Sequence, residues 1–348
     1  MKRVVIATTQ VPFSRGGAEL LVESLSDALA ARGFAVAVVQ LPFSWTRRLD
    51  VLKSALAWRM LDLRTLVGEP IDLVIATRFP AYLIRHPSKV VWLIHQFRQV
   101  YELQGTTYSE YQDAPEDRRA AAMMRAMDAK ALGEARALFS ISRNTAARLK
   151  RFNGLDALPL YPPPKLSGRL RPGRHGDYVF AAGRLDRMKR FDLLLDALAH
   201  TTGTTRAVIA GEGPEAERLH EMAERSGLGE RVVFAGFVDE ARLVDLYAGA
   251  LAVFYAPYDE DYGYVTVEAM QAGKPVLTTD DAGGVLELVE DGVNGVVSPA
   301  GSARRLARAI DELAADPALA ARLGEAGRRR VEGIGWDDVI EALTGGLA

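Results

Sequence analysis

The 348-residue sequence has no cysteine, which excludes a disulfide framework and any thiolate metal site and fits a reducing compartment. It has no stretch approaching the roughly 18 apolar residues that a membrane span requires. The opening Met1-Lys-Arg-Val-Val-Ile-Ala-Thr-Thr carries too short an apolar run for a secretory leader and reads as a first strand. Internal repeats and low-complexity tracts are absent as well. The expected location is therefore the cytoplasm. A net charge of one sign is also lacking, the total being −2, but this conceals an asymmetry. Residues 1–165 hold 23 Lys and Arg against 15 Asp and Glu, whereas the remainder is acidic. A basic first half suggests an anionic partner or surface, with uneven composition of solvated faces as the equal alternative.

What the chain has is alternation. Short apolar runs (Val4-Ala7, Ala35-Leu41, Leu73-Ala76, Val90-Ile94, Val179-Ala182, Ala207-Ala210, Val232-Ala235, Leu251-Tyr255, Val276-Thr278) are separated by helical patterns such as Ala18-Arg32 and Leu193-His200. Continuous apolar strands with helical crossovers mean buried parallel sheet, so the fold class is α/β. At this length two domains are expected. Tyr161 to Gly176 contains four prolines and three glycines and reads as the connection. The expected domains are 1–165, 176–332 and a terminal segment 333–348. Each half opens with a strand, a glycine turn and a helix, and such sheets bind ligands at the carboxyl ends of their strands. A cleft between the domains is the expected site.

The most informative stretch is Pro257-Tyr-Asp-Glu-Asp-Tyr-Gly-Tyr-Val-Thr-Val-Glu268. Pro257 and Gly263 place Glu260 in a loop and Glu268 in the helix that follows. Amides of Gly263, Tyr264 and Val265 at a helix start suit a phosphate oxygen, and the two carboxylates suit hydroxyls beside it. Gly183-Arg184-Leu185-Asp186-Arg187-Met188-Lys189 follows a strand, so Arg184 and Lys189 are placed to clamp a diphosphate, with a solvated basic turn as the plainer reading. Gly211-Glu-Gly-Pro214 and Gly16-Gly17-Ala-Glu19 are further glycine turns, each also explicable as a simple connection. His95 stands at the end of a buried strand, where ligands bind, and Gln96, Arg98 and Tyr101 follow as acceptor-side candidates. Asp259, Asp261, Asp280 and Asp281 form no clear oxygen cage, so a metal-free pocket is expected. Trp45 to Arg64 is amphipathic and basic; it reads as a crossover helix packed on its sheet, with a membrane-surface helix as the alternative.

In combination, Gly16-Gly17-x-Glu19, Gly183-Arg184-Leu185-Asp186-x-x-Lys189, Gly211-x-Gly213-Pro214, Gly236-Phe237-Val238, Glu260 with Glu268 eight residues on, and Gly283-Gly284-x-x-Glu287 resemble the retaining nucleotide-sugar glycosyltransferases of family 4. The resemblance runs along nearly the whole chain and is most specific in the second half. It implies the GT-B fold, two Rossmann-like domains whose parallel sheets face an interdomain cleft. It further implies that Arg184 and Lys189 bind the donor's pyrophosphate, Glu268 the ribose and backbone near Phe237 and Val238 the base. Glu260 would hold the transferred sugar with the amides of Tyr264 and Val265, and His95 would contribute from the first domain. Gly16, Gly17, Gly183, Gly211 and Gly263 would let backbone approach the ligand. The final helix, starting at Trp336, would return to the first domain. One departure stands out: Asp261 occupies the position after the first glutamate, where the family has glycine.

The implied activity is transfer of a hexosyl group, with retention and without a metal or other cofactor, from a UDP- or GDP-linked sugar to a hydroxyl acceptor in glycan, glycolipid or polysaccharide synthesis. The basic first half favours a lipid-linked acceptor and peripheral contact with the inner membrane face; no nucleic-acid partner is expected. The competing readings are a nucleotide-sugar epimerase on the same fold and a non-catalytic nucleotide-sugar sensor.

Overall fold

The computed structural model describes every residue except Ser14, Thr46, Gly346 and Ala348, together with all side chains in its helices and strands but that of Leu49. The chain forms two compact units, residues 1–165 with 335–348, and residues 166–334.

In the first unit the chain runs β1 (Arg3–Gln10), α1 (Gly17–Ala31), β2 (Ala35–Pro42), α2 (Arg48–Met60), the small hairpin β3 (Thr65–Leu66) and β4 (Glu69–Pro70), then β5 (Leu73–Ala76), β6 (Lys89–Leu93), α3 (Pro115–Gly133), β7 (Ala137–Ser140), α4 (Arg143–Asn153) and β8 (Leu158–Pro159). Six strands make a parallel sheet in the order β2-β1-β5-β6-β7-β8. The order reverses between β1 and β5, which makes their carboxyl ends the ligand-binding position of a doubly wound sheet. Helix α1 buries Leu21, Val22, Leu25, Ala28 and Leu29, one apolar stripe at helical spacing. Helix α2 buries Val51, Ala55 and Trp58 in a core with Val5, Ala7, Val74 and Ala76 of the sheet and is thus the crossover helix expected for this segment. Among the described residues no helix is long and apolar enough to cross a membrane.

The second unit runs β9 (Tyr178–Ala182), α5 (Phe191–Ala199), β10 (Arg206–Ala210), α6 (Ala216–Arg225), β11 (Val232–Gly236), α7 (Glu240–Gly249), β12 (Ala252–Phe254), α8 (Tyr264–Gln271), β13 (Val276–Thr279), β14 (Gly295–Ser298), α9 (Ala303–Ala315) and α10 (Pro317–Arg330). Its parallel sheet has the order β11-β10-β9-β12-β13-β14. Counted within the unit this is 3-2-1-4-5-6, the dinucleotide-binding arrangement, with its switch point between β9 and β12. The apolar core of this unit is continuous from Val179 to Leu323. Residues 166–176 pack on this unit: Gly176 N donates to Gly249 O (3.1 Å) and Lys274 Nζ donates to Gly173 O (2.8 Å). The helical pattern of 302–330 divides at Asp316, whose carboxylate accepts from Ala318 N and Leu319 N (both 3.0 Å) and so starts α10 afresh.

The last helix, α11 (Trp336–Thr344), belongs to the first unit, where Trp336 meets Trp92 edge-on at 6.2 Å and Arg32 pairs with Asp337.

Candidate functional site

The switch point of the second unit gathers most of the residues singled out in the sequence. Gly183 to Lys189 follow β9, and Tyr255 to Glu260 follow β12. Asp186 caps a 3-10 turn over Arg187–Lys189 by accepting from Lys189 N at 3.1 Å, and this turn presents the lysine. The Lys189 ammonium forms an ion pair with Glu260 and donates to the Tyr255 hydroxyl at 3.1 Å. Tyr255 in turn donates to the same Glu260 oxygen at 2.9 Å. Three polar groups thus close on one point. Burial alone would lower the Lys189 pKa, but the Glu260 carboxylate and Tyr255 beside it raise it, so the amine stays charged throughout the working range. Burial raises the Tyr255 hydroxyl, and the charge of Glu260 adds to the effect.

The loop carrying Glu260 is held by main-chain bonds. Asp259 N donates to Asp281 O (2.9 Å), Glu260 N to Ala282 O (3.2 Å) and Gly284 N to Glu260 O (2.8 Å). Gly284 is required here, because a Cβ would lie 2.4 Å from Asp261 O. Arg190, in left-handed backbone at φ 53°, locks the loop from beneath. It donates to Ala256 O (2.7 Å) and Pro257 O (2.9 Å), and both Asp281 oxygens accept from it. Asp280 accepts from Ala300 N at 2.8 Å. Two of the four carboxylates considered as an oxygen cage therefore hold the loops. Among the described residues no group of three or more His, Asp and Glu is placed to take a metal ion.

Helix α8 begins directly after this loop. Its cap, Gly263, has φ 88°, a region that side chains disfavour. A Cβ there would also lie 2.6 Å from Tyr255 Cε1. Asp261, which stands where the family has glycine, is not among the positive-φ residues; Asp259 is, at 43°. The left-handed residue thus lies two positions earlier, and Asp261 is buried. The first amides of α8, at Tyr264 and Val265, lack a carbonyl four residues back, as at any helix start. One helical turn further, Glu268 accepts from the Tyr247 hydroxyl at 2.7 Å. Burial raises the Glu268 pKa against the pull of that hydrogen bond. Among the described residues the buried Tyr264 hydroxyl has no hydrogen-bond partner.

Arg184 is exposed at the start of its loop. Gly211 and Gly213 have a steric purpose: a Cβ on either would lie 1.9 Å from Gly183 O or 2.3 Å from Leu185 O. Leu185 N donates to Glu212 O at 2.9 Å, so the second glycine turn braces the Arg184 loop. Gly236 ends β11 with φ 61°, and Phe237 beyond it is 79% exposed.

The first unit has its own switch-point cluster. Gly16 caps α1, and its amide donates to Glu19 (2.9 Å), whose other oxygen pairs with the buried Arg78. The Gly16 amide, expected to face a ligand, is therefore taken by the helix's own third residue, and Gly17 is the first residue of α1. His95 follows β6 by two residues, with Nδ1 2.7 Å from Gln96 O, a contact that requires the proton on Nδ1. The proposed neighbours of His95 point into the unit. Gln96 donates to Asn153, Arg98 pairs with Glu102, and the buried Tyr101 donates to Asp128 at 2.7 Å. These bonds support the loop.

Burial lifts the Asp128 pKa to about 7, although the Tyr101 hydroxyl donates to it and pulls the other way. The folded protein thus holds a proton that the unfolded chain releases near pH 4, so stability falls as pH rises from about 4 through 7. Asp128→Asn is expected to flatten that slope in urea unfolding midpoints measured across this range. An unchanged slope would remove Asp128 as its source.

A cavity of about 460 Å³ lies at the other end of the first unit's sheet, where β6 begins, lined in part by Arg59, Arg64, Arg85 and Lys89. Its charges brace structure: Arg59 bonds Glu134, Arg64 bonds Asp62, and Lys89 donates to three carbonyls.

Residues 169–330 match the family described as glycosyl transferases group 1. A D-inositol 3-phosphate glycosyltransferase of Streptomyces bingchenggensis is 31% identical over 210 residues, covering 56% of this chain and 44% of that protein. The chain spans less than half the length of the first such relatives. Among solved structures, sucrose-phosphate synthase from Thermosynechococcus elongatus aligns over 100% of this chain and 98% of its own, with TM-score 0.79 and 21% identity. Anabaena HepE, in complex with UDP and glucose, aligns over 100% and 99% with TM-score 0.72 and 20% identity. The fold is GT-B. Arg190 and Tyr247 had no place in the sequence reading, and Tyr255 entered it only as the last residue of the apolar run Leu251-Tyr255; that position at a strand end was the available signal.

Proposed function

We propose that the protein is a retaining glycosyltransferase that moves a hexosyl group from a nucleoside-diphosphate sugar to a hydroxyl acceptor in glycan, glycolipid or polysaccharide synthesis. The observation that carries this reading is the Lys189, Glu260 and Tyr255 cluster beside the Gly263-opened helix, at the switch point of a sheet with dinucleotide-binding order. The group 1 match across residues 169–330 supports it. A UDP-linked donor is favoured over a GDP-linked one by the UDP bound in the HepE structure.

Breaking the anomeric C–O bond leaves an oxocarbenium-like sugar and builds negative charge on the departing phosphate. Lys189, Arg184 and the α8 amides at Tyr264 and Val265 are assigned to that charge. Glu260 takes hydroxyls of the transferred sugar, Glu268 the ribose hydroxyls, and backbone at Phe237 and Val238 the base. Gly183, Gly211 and Gly263 shape the loops around them. His95 acts on the sugar from the first unit, whose glycine turn at Gly16 and Gly17 lets backbone approach the donor. Because cations and amides meet the diphosphate, no divalent metal is assigned. The leaving phosphate takes the acceptor's proton on the same face, which gives retention. A lipid-linked acceptor at the inner membrane face fits the basic charge of residues 1–165.

A panel of nucleotide sugars, scored for thermal stabilisation and for release of nucleoside diphosphate with excess chelator present, tests the reading. Turnover of a UDP sugar, with the product's anomeric proton showing retained configuration, is the expected result. An epimer formed without acceptor would replace the reading by isomerisation. Stabilisation without any turnover would replace it by a sensor.

A further inference from the structure

We propose that Tyr255 is a positioning residue of the donor site, its hydroxyl bridging the Lys189 ammonium and the Glu260 carboxylate so that each keeps its place when the other engages substrate. The proposal rests on the glycosyl-transfer reading above and assigns a function to a residue that no motif marks.

The polarity of the bridge follows from chemistry. A lysine ammonium can only donate and a carboxylate can only accept, whereas a phenol does both. At 3.1 Å from Lys189 Nζ and 2.9 Å from Glu260 Oε2, the Tyr255 hydroxyl must accept from the first and donate to the second. It is the one group in the cluster that can satisfy both partners at once. Lys189 and Glu260 also contact each other directly, and that contact creates a conflict. A diphosphate competes with Glu260 for the lysine, and loosening an ion pair in a largely buried place is costly. Tyr255 resolves the conflict because its bond to Glu260 persists when the ammonium turns toward phosphate.

For this the hydroxyl must stand on something fixed. Tyr255 is 6% exposed, and its amide is bound to Leu277 O at 2.9 Å, which continues the sheet ladder one residue past β12. One edge of its ring lies against Gly263, so close that any side chain there would collide with Cε1. The Lys189 ammonium lies 5.4 Å from the ring centroid. A single ring therefore connects the strand end at the switch point, the lysine turn, the Glu260 loop and the start of α8. Glycine at position 263 serves the ring as well as the helix cap.

The test is a double-mutant cycle of Tyr255→Phe and Glu260→Gln, which keeps the ring and the side-chain volumes. Kinetics are measured with UDP-glucose and with GDP-mannose, alongside thermal unfolding of every variant. Tyr255→Phe is expected to lower kcat about 10-fold or more with KM within about threefold, since the hydroxyl acts on orientation more than on ground-state binding. In the Glu260→Gln background the same change is expected to lower kcat by less than about threefold, because a residue acting through Glu260 has nothing further to lose. The unfolding cycle, which needs no substrate, is expected to show the same non-additivity. A Tyr255→Phe enzyme within about twofold of wild type, or losses that multiply in the double variant, overturns the proposal while the functional reading stands. A wild-type protein that binds and turns over no nucleoside-diphosphate sugar overturns the functional reading and the proposal together.

Discussion

Replacement of Lys189 by alanine is expected to lower kcat for glycosyl transfer by about 10²–10³-fold, the scale of losing one preorganised donor to a developing oxyanion. The amine is charged throughout the usable pH range, because Glu260 and Tyr255 overcome the effect of burial. No edge of a pH–rate profile should therefore report its ionisation. What the enzyme loses with Lys189 is a positive charge already in position before the leaving phosphate acquires its own. The substitution also removes the Lys189 ion pair from Glu260, which keeps its bond from Tyr255. A folding control is therefore part of the measurement. Steady-state kinetics on protein with a wild-type-like unfolding transition check the expectation, and turnover within about threefold of wild type would remove the lysine from the diphosphate.

Glu268 is the second large effect. Hydrogen bonds to a charged group contribute about 1.5–3 kcal/mol, so Glu268→Ala is expected to weaken nucleoside diphosphate binding by roughly 10–150-fold in calorimetry. The raised pKa adds a pH signature with a definite sign. Burial disfavours the carboxylate and the Tyr247 hydroxyl supports it, so ionisation is completed above the usual carboxylate range. Affinity should climb as pH rises through that raised value, because the ionised form accepts ribose hydroxyls. Glu268→Gln should show low affinity without the climb. Stability runs the opposite way: the folded protein keeps a proton that the unfolded chain gives up, so the Glu268 contribution declines as pH rises from the ordinary glutamate value through the raised one. Equal pH profiles for wild type and Glu268→Gln would detach Glu268 from the nucleotide.

The second unit was more legible in the sequence than the first. Its strands are apolar on both faces, and Gly263, Glu260 and Glu268 occupy a turn and helix whose chemistry is local. Glu260 in the loop and Glu268 in α8 follow from Pro257 and Gly263 alone. Strands β7 and β14 escaped the reading for a physical reason. In β7 the apolar run is broken by Ser140, and β14 starts with Gly295, a poor strand former by propensity. Gly295 is there because a Cβ would lie 2.4 Å from Val276 O, a close approach set by tertiary packing.

Pairings between distant residues were equally hidden. Lys189 with Glu260, Arg190 with Asp281 and Arg78 with Glu19 join loops far apart in the chain, and spacing carries no information about them. The same limit hid the partners of Gln96, Arg98 and Tyr101. A polar residue after a strand reads as ligand-facing, yet Asn153, Glu102 and Asp128 take these side chains inward. Gly211 shows the reverse case, since its glycine answers to Gly183 O across the loop, where the sequence suggested only a turn.

The most direct test of the central claim is a crystal structure with a UDP sugar bound. The account predicts the diphosphate within hydrogen-bond distance of Lys189 Nζ and the amides at the start of α8, with Glu268 on the ribose and Glu260 on the sugar. A diphosphate bound away from Lys189, or a nucleotide seated elsewhere in the chain, would contradict it.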